Sequence, residues 1–533
     1  MKKKKSALMT AILVLAAAAF GTEAQAQIVL TMEQALEYSA QHNPDLINSR
    51  MSMEQYEQNL IAQKASLKSR FSLNLQPISY SQSRQFDSRF SDWYTNRSLS
   101  SSGTFSISQP IIWTDATLSL NNSLSWQNNE SSVGGNTNSN RTFSNSLYLS
   151  LTQPIFTYNR TKMNLRQIEM NYENARISYA LQLLNVERNI TSQFYNLFMA
   201  QQNLEISELE LENAEKNFNI IKDKVEADLI TKDEYYQAEL NLAQSRSSLE
   251  NQKVSLENSK DNFKQSLGIP LDEDIRVVCE IAAEPVYVDM EKAIESATTT
   301  RLELRQREIS REQQEMTMIQ VKDNDSFNGS VSLSLGVMGD SPDFPKIYEN
   351  PTNNPRISVS FSVPIFDWGA RKARIKAQEI GRKMFELNAE EELKSIEMNV
   401  RSTCRSLDNL LGQISIAEQS QKNAQLTYEL NEERYRNGEL TGMQMNQFQT
   451  QLSNSKMSYT QAIINYKVQL LNLKILTLYD FEKDEPVAPI TYDQNSKKKS
   501  QNNTEYEIKN QRIYTGCAFC PYGRVQAREH CEP

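Results

Sequence analysis

The chain carries an internal duplication, and this repeat restricts the possible folds more than any other feature. Pro154-Ile155-Phe156 opens one long segment, and Pro364-Ile365-Phe366 opens another 210 residues later. Near the far end of the first segment lies Asp228-Leu229-Ile230-Thr231, and Gly438-Glu439-Leu440-Thr441 follows at the same offset. A two-fold repeat on this scale predicts a large hollow assembly rather than a catalytic pocket.

Residues 1–26 have the pattern of a secretory signal peptide. Lys2–Lys5 form the charged start, and Ala24-Gln25-Ala26 forms a cleavage site. The apolar run between them is shorter than the ~20 residues of a spanning helix, and no later segment is apolar for that length. An exported chain of this kind enters a membrane as a β-barrel. The formal net charge of −9 does not favour nucleic-acid binding.

Four segments alternate between apolar and small polar residues, which predicts β-strands. They cover residues 118–126, 143–152, 327–337 and 357–363. Each has about the length of a tilted strand that crosses a bilayer. One face suits lipid and the other suits a water-filled lumen. A soluble sandwich shows the same alternation, but the export signal and the neighbouring helices favour a barrel.

The helices are too long for a globular domain. No glycine or proline occurs from Ile155 to Leu267, and apolar residues recur there at intervals of three or four. A single helix of this length would be ~170 Å long, so we expect a hairpin. The expected arms are 158–227 with 231–267, and 368–437 with 441–478. The returning arms are only about half as long as the long arms. Short helices at 31–69 and 290–326 have nearly the missing length, and we expect each short helix to stack end to end on a returning arm.

The sequence therefore predicts a mainly α protein with a transmembrane β-barrel, built from two strand and long-helix-hairpin repeats. The expected parts are a signal peptide (1–26), a first repeat (27–267), a mixed α/β equatorial connector (268–289), a second repeat (290–480) and a polar tail without fixed structure (481–533). Met32–Glu37 recurs as Met290–Glu295, 258 residues later rather than 210. The first repeat thus holds 48 extra residues, either an added strand pair or enlarged surface loops.

With these features the chain resembles the outer-membrane efflux proteins of the TolC family, from Leu30 to about Tyr479. The motifs that carry the resemblance are Met32–Leu46, Gln153–Phe156, Pro364–Gly369 and Asn437–Thr441. The resemblance implies a homotrimer with a twelve-stranded barrel in the outer-membrane lipid and a periplasmic tube of twelve helices. It also implies a passive exit duct of a tripartite efflux pump or type I secretion system. Its partners would be a periplasmic adaptor (membrane fusion) protein and an inner-membrane transporter.

The resemblance assigns roles to two groups of residues. The hairpin tips are expected to contact the adaptor, or else to be simple turns: Ala227, Asp228, Leu229, Ile230, Thr231, Asn437, Gly438, Glu439, Leu440 and Thr441. The periplasmic entrance is expected to include Glu234, Tyr435, Gln444 and Gln447. Glu234 would supply a cation-selecting ring of three carboxylates per trimer, and Tyr435 would bond it across the hairpins, or else these residues form an ordinary solvated surface.

Other features indicate no chemistry. His42 is the only histidine of the main body, and it has no nucleophile motif or phosphate loop beside it, so we expect no enzyme and no cofactor. Cys517, Cys520 and Cys531 in the tail fit a disulfide, a zinc site or a simply disordered segment. The four tryptophans near strand ends fit an interfacial belt or ordinary barrel packing. The alternative function is a barrel-anchored coiled-coil scaffold or adhesin, which does not need matched hairpin tips.

Overall fold

A computed structural model describes residues 28–88, 91–133, 136–228, 230–279, 282, 284–437 and 439–487 of the chain. The expected signal peptide and the tail cysteines Cys517, Cys520 and Cys531 lie outside these residues. Helices dominate the described part, and one antiparallel sheet lies at one end of them.

Two helical hairpins of equal size form the frame of the molecule. Their arms are α3 (Arg160–Glu226), α4 (Lys232–Leu267), α7 (Ala370–Arg436) and α8 (Gly442–Thr477). The long arms have 67 residues each and the returning arms 36. All the bounds of the second hairpin lie 210 residues after those of the first, and they agree with the expected arms to within two residues. At ~1.5 Å per residue a long arm is ~100 Å in length.

The short helices differ from the expectation, because each is divided in two. The four pieces are α1 (Met32–His42), α2 (Pro44–Ser66), α5 (Met290–Thr299) and α6 (Leu302–Asp323). In the first repeat the break falls at Asn43-Pro44, since proline has no N–H with which to continue a helix. Asn43 instead caps α2, and its side-chain oxygen accepts the N–H of Leu46 at 3.0 Å.

Each returning arm ends against the break in a short helix, so the two stack end to end as expected. Asn43 donates its side-chain N–H to the carbonyl of Ser266 at 2.6 Å. Gly268 follows α4 in the left-handed conformation (φ +77), and a Cβ there would overlap the carbonyl of His42. In the second repeat the hydroxyl of Thr300 donates to the carbonyl of Thr477 at 3.1 Å. Both joints lie halfway along a long arm.

Two equivalent apolar cores surround these joints. Val186, Ile190 and Leu197 of α3 belong to the first core, and Ile396, Val400 and Leu407, each 210 residues later, belong to the second. Beside the first core, β1 (Ile28–Leu30) pairs in parallel with β6 (Ile275–Val277) of the connector. The mid-height of the molecule is therefore its best packed level.

The sheet contains more strands than the resemblance implies. Its strands are β2 (Arg70–Asp87), β3 (Asp92–Ile111), β4 (Ala116–Val133), β5 (Asn136–Ile155), β7 (Asn328–Ser341), β8 (Thr352–Asn353) and β9 (Arg356–Ser362). The order is β2-β3-β4-β5-β7, and both β8 and β9 pair with the far side of β7 in one register. The first repeat thus supplies four long strands and the second two, so the 48 extra residues are an added strand pair.

The chain continues past the expected end of the second repeat into a short hairpin. β10 (Tyr479–Asp480) pairs with β11 (Glu485–Pro486). Lys292 of α5 binds both the hydroxyl of Tyr479 at 2.7 Å and the carboxylate of Asp484 at 2.8 Å. Residues 481–487, which the sequence assigned to the tail, are held by these contacts. None of the helices in the described ranges is both long and apolar enough to cross a membrane.

Candidate functional site: the hairpin tips and the helical entrance

The first tip turns between α3 and α4 in five residues, of which Leu229 lies outside the described residues. The N–H of Ala227 donates to the carbonyl of Asp223 at 3.1 Å and closes the last turn of α3. Asp228 then adopts a positive φ of +54, which is uncommon for a residue with a Cβ. Aspartate tolerates this conformation better than most residues.

The start of α4 uses its polar residues unequally. Thr231 stands at the N-cap position, and its hydroxyl donates to Asp233, which lowers the pKa of that carboxyl. Glu234 occupies the next position and is exposed. No hydrogen bond or ion pair to the Glu234 carboxylate is formed by the residues that the structure describes. This negative charge therefore faces solvent close to the tip.

The second tip is capped more completely. The N–H of Asn437 donates to the carbonyl of Glu433 at 3.0 Å, and Gly438 lies outside the described residues. Thr441 and Gln444 form a reciprocal capping box at the start of α8. The N–H of Thr441 donates to the side-chain oxygen of Gln444 at 3.0 Å. Gln444, expected at the entrance, thus has a structural partner, while Gln447 is exposed.

The tips present the same pattern of exposure. Ile230 and Leu440, which are equivalent in the repeat, are half-buried. The other described tip residues are exposed: Ala227, Asp228, Thr231, Asn437, Glu439 and Thr441. Among the described tip residues, each hairpin therefore has one half-buried apolar side chain, and the rest are accessible.

Tyr435 joins the two hairpins just above the tips, but its partner is not the one expected. Its hydroxyl donates to the side-chain oxygen of Asn217 on α3 at 3.0 Å, and not to Glu234. Burial raises the pKa of Tyr435, so the phenol stays protonated as a donor. Gly442 approaches the same asparagine so closely that a Cβ would overlap its side chain. Asn217 therefore locates both the long arm and the returning arm of the second hairpin.

A layer of amide side chains continues this contact away from the tips. Asn446 of α8 donates to the side-chain oxygen of Asn241 on α4 at 3.2 Å. Gln449, one turn further, is buried, and its side-chain nitrogen has no partner among the described residues. These residues line a cleft of about 210 Å³ between the hairpins. The amides make the interior of the entrance end polar. An interface of leucine side chains at the same place would instead be apolar and tightly packed.

Sequence reasoning found the tips and missed the residues that hold them together. The repeat identified both turns because a duplicated motif can be recognised from the sequence alone, without knowledge of tertiary contacts. Asn217, Asn241 and Asn446 have no equivalents at the 210-residue offset, since the repeat places Thr427, Gln451 and Tyr236 there. The available signal was asparagine, a weak helix former, in long helices near the tips.

One protein family matches most of the chain. A family model described as "Outer membrane efflux protein" matches residues 114–269 and 293–477. The matched ranges contain both long hairpins with their tips, and the strands from β4 onward that belong to the sheet, but not β2 and β3. Comparison with curated protein sequences gives no match.

Solved structures share the fold at low sequence identity. The Campylobacter jejuni CmeC outer membrane channel has a TM-score of 0.63 at 16% identity, over 88% of this chain and 88% of that one. The open state of the Neisseria gonorrhoeae MtrE outer membrane channel has a TM-score of 0.61 at 12% identity, over 85% and 90%. The Vibrio cholerae outer membrane protein VceC has a TM-score of 0.59 at 12% identity, over 86% and 97%.

Proposed function

The chain belongs to the outer membrane efflux protein family, and we propose that three copies form the exit duct of a tripartite efflux pump or type I secretion system. In this proposal the sheets of three chains close a barrel in the outer membrane. The helical hairpins close a tube of twelve helical columns in the periplasm. The duct is passive, and an inner-membrane transporter supplies the energy. The family match gives no support to the alternative of a coiled-coil scaffold or adhesin.

The observation that carries the proposal is an apolar stripe on each edge of the helical wall. Within one chain, α3 packs between α4 and α8, and α8 packs against α7. The four columns are therefore α4 with α1 and α2, then α3, then α8 with α5 and α6, and finally α7. The first and last columns are edges, and each needs a neighbour.

The free face of α7 carries a row of exposed apolar residues. This helix buries Ile396, Val400 and Leu407 against the second core. On the opposite face its exposed apolar residues include Ile380, Met384, Leu387, Met398 and Ile416. The charged residues Glu391 and Arg405 are exposed on the same face. The spacing of the apolar residues places them on one stripe at 3.6 residues per turn. Met398 is 63% exposed in the single chain, which is unusual for a helix that has finished packing.

The other edge has the same character. On α4, Leu249 and Leu256 are buried while Leu240 and Val254 on the opposite face are exposed. Above α4 in the same column, α2 exposes apolar side chains as well, including Met51. An apolar edge that meets a different apolar edge is a heterologous contact, and such contacts form a ring when the rotation from copy to copy closes. A second copy is the partner that satisfies both edges.

The test is the mass and shape of the detergent-extracted particle. We expect light scattering to give three chains and imaging to show three-fold symmetry with a tube roughly 100 Å long, from the ~1.5 Å rise of the long arms. A monomer that remains folded and dispersed without detergent would overturn the proposal.

We assign the exposed tips to the periplasmic adaptor. The tips are equivalent in the repeat, and most of their described residues are exposed, as a docking end requires. A photo-crosslinking residue at Asp228 or Asn437 should capture the adaptor in cells. The same residue at Asn388 of α7, ~70 Å up the helix at ~1.5 Å per residue, is the control. Capture at Asn388 alone would place the adaptor elsewhere.

We assign cation selection at the entrance to Glu234. Its exposed carboxylate would occur three times around the axis, and a ring of like charges attracts counter-ions. Glu234→Gln should lower the cation preference of single channels in planar bilayers. Glu239→Gln, on another face of α4, should leave it unaltered. Equal effects of the two substitutions would remove Glu234 from this role.

Two tryptophans support a membrane boundary at the junction between strands and helices. Trp113 lies in the turn between β3 and β4, and Trp368 lies between β9 and α7, and both are almost fully exposed. Amphipathic rings prefer the level of the lipid headgroups. We therefore place the inner lipid surface of the outer membrane at this level.

A further inference from the structure

We propose that the sheet closes between copies through β2 and β9, so that the duct has an eighteen-stranded wall in place of the family's twelve. This inference rests on the proposed trimer. Each chain contributes six long strands, because β8 and β9 share one register on β7 and act as a single interrupted strand. The partner of each free edge is a second copy of this chain.

The added strand pair is built into the wall and does not form a separate flap. The sheet register runs unbroken from β3 to β4 over eighteen residue pairs, from Tyr94↔Val133 to Ile111↔Ala116. The family match begins at residue 114, so β2 and β3 lie outside it together with α1 and α2, and we treat β2 and β3 as the added pair. Gln109 and Gln153 each donate to the carbonyl of the following proline at 2.7 Å. The strands β3 and β5 therefore end with the same local structure.

The apolar face of the sheet continues across the added strands. Residues that are paired across neighbouring strands form one row: Phe71, Ile107, Leu120, Leu149 and Leu335. Paired residues in antiparallel strands point to the same side. The band that faces lipid in the family-matched strands therefore extends to β2 at the same height.

The opposite face carries hydroxyl pairs across the strands. Ser119 bonds Ser150 at 2.8 Å between β4 and β5. Thr104 bonds Ser123 at 3.2 Å between β3 and β4, which joins the added pair to the matched strands. The polar lining of the lumen is thus also shared by the added strands.

The edges of the sheet are unsuited to remain free. β2 and β9 each present an unpaired row of backbone groups, which is costly within lipid. Leu73 on β2 is 61% exposed and Ile357 on β9 is 73% exposed. Neighbouring strands within the six-stranded wall are antiparallel. Because six is an even number, β9 of one copy and β2 of the next are also antiparallel and can pair.

The wider sheet matches the helices beneath it. Four helical columns at spacings of ~9–10 Å make a wall ~38 Å wide. Six strands ~4.8 Å apart and tilted by ~40° cover about the same width, whereas four cover only ~25 Å. The duct therefore keeps its bore from tube to barrel, and cargo that enters at the tips meets no narrowing of the wall at the membrane.

Engineered disulfides test the closure directly. In a background with all five cysteines replaced by alanine, a cysteine at Val359 of β9 is combined with single cysteines at positions 70–76 of β2. Oxidation should yield covalent dimers and trimers for some of these pairs. The control scan places the second cysteine at positions 117–123 of β4, where we expect none. Cross-linking to β4 instead would mean a twelve-stranded wall and would overturn the inference while leaving the trimer intact.

End-on imaging of the full-length particle gives an independent count. Eighteen strands around three-fold symmetry supports the inference, and twelve overturns it. A particle without three-fold symmetry contradicts the proposed function itself, so the two failures are distinguishable.

Discussion

At the scale of single residues, the first tip forms its turn without a glycine. The repeat aligns Asp228 with Gly438, and the first turn places Asp228 at a positive φ of +54. A β-branched residue is strained there by about 1–2 kcal/mol. The sequence itself shows that this position holds no glycine. It could not predict Asn217 as the partner of Tyr435, because that contact depends on how two hairpins pack.

We expect Asp228→Val to loosen the first tip by about 1–2 kcal/mol because valine resists the left-handed conformation. Asp228→Asn should be nearly neutral. The measurement is hydrogen exchange of the amides in the last turn of α3. Ala227→Val is the matched control, since that residue has a φ of −87. Equal exchange in Asp228→Val and the unaltered protein would contradict the account.

The bond between Tyr435 and Asn217 should contribute about 1 kcal/mol to the contact between the hairpins. Tyr435→Phe removes the donor, and Gly442→Ala displaces Asn217, so both changes break the same contact. The double variant should therefore lose less stability in thermal unfolding than the sum of the losses in the two single variants. Full additivity would show that Gly442 and Tyr435 act separately.

At the scale of elements, the end-to-end joints decide how rigid each column is. The lengths of the arms predicted these joints, since a returning arm plus a short helix equals one long arm. Both breaks of the short helices were missed: Asn43-Pro44 lies inside the expected helix 31–69, and no proline marks the break at Thr300. The joint around Gly268 is the tighter of the two, because backbone meets backbone there.

Gly268→Ala should destabilise the protein by roughly 2 kcal/mol or more, through a left-handed alanine and an overlap with the carbonyl of His42. Gly381→Ala is the control, since a Cβ at Gly381 in α7 meets nothing within 4 Å of the single chain. That change should stabilise by about 0.5–1 kcal/mol. Melting temperatures in detergent that fall equally for both would exclude a special role for the joint.

The end of α8 should give the protein a specific sensitivity to acid. Asp480, with a side chain only 8% exposed, binds Lys474 at 2.9 Å. Burial opposes its ionisation, but the bond and charge of Lys474 prevail and lower its pKa. Its stabilising effect is thus complete above the unfolded pKa of about 3.9 and is lost as pH falls through the lower folded pKa.

Asp480→Asn should cost about 1–3 kcal/mol at pH 7, because Lys474 keeps its charge but loses the carboxylate to which it is hydrogen-bonded. Unfolding followed from pH 7 to pH 3 should show a smaller loss on the acid side in this variant. An unchanged acid profile would mean that other carboxylates govern the transition.

At the scale of the whole molecule, the sequence predicted the duplication and the hairpins but left the wall undetermined. The long arms could be predicted because a helical period that continues over 67 residues is compatible only with a long α-helix. The 48-residue excess could not be resolved, since strands and polar loops of serine and asparagine look alike until they are paired. The order of helical columns likewise needed contacts between α3 and α8 that are remote in sequence.

Leu387→Glu should prevent assembly, since it places a charge in the middle of the apolar stripe of α7. Asn388→Glu, one residue away on a small polar face, should leave assembly intact. Both are measured by light scattering in detergent. Trimers in both variants would show that the α7 stripe is not the contact between copies.

The repeated glutamine-proline strand ends also show how such a protein can grow. Both β3 and β5 end at the rim of the sheet that faces the long helices. Of these two strands, only β5 is followed by a long helix. If a chain gained a single strand, its last strand would end at the opposite rim of the sheet. The helix that follows would then lie on the outer side of the membrane. Enlargement is therefore restricted to whole hairpins, so the evolutionary series of pore sizes open to this architecture rises in steps of six strands.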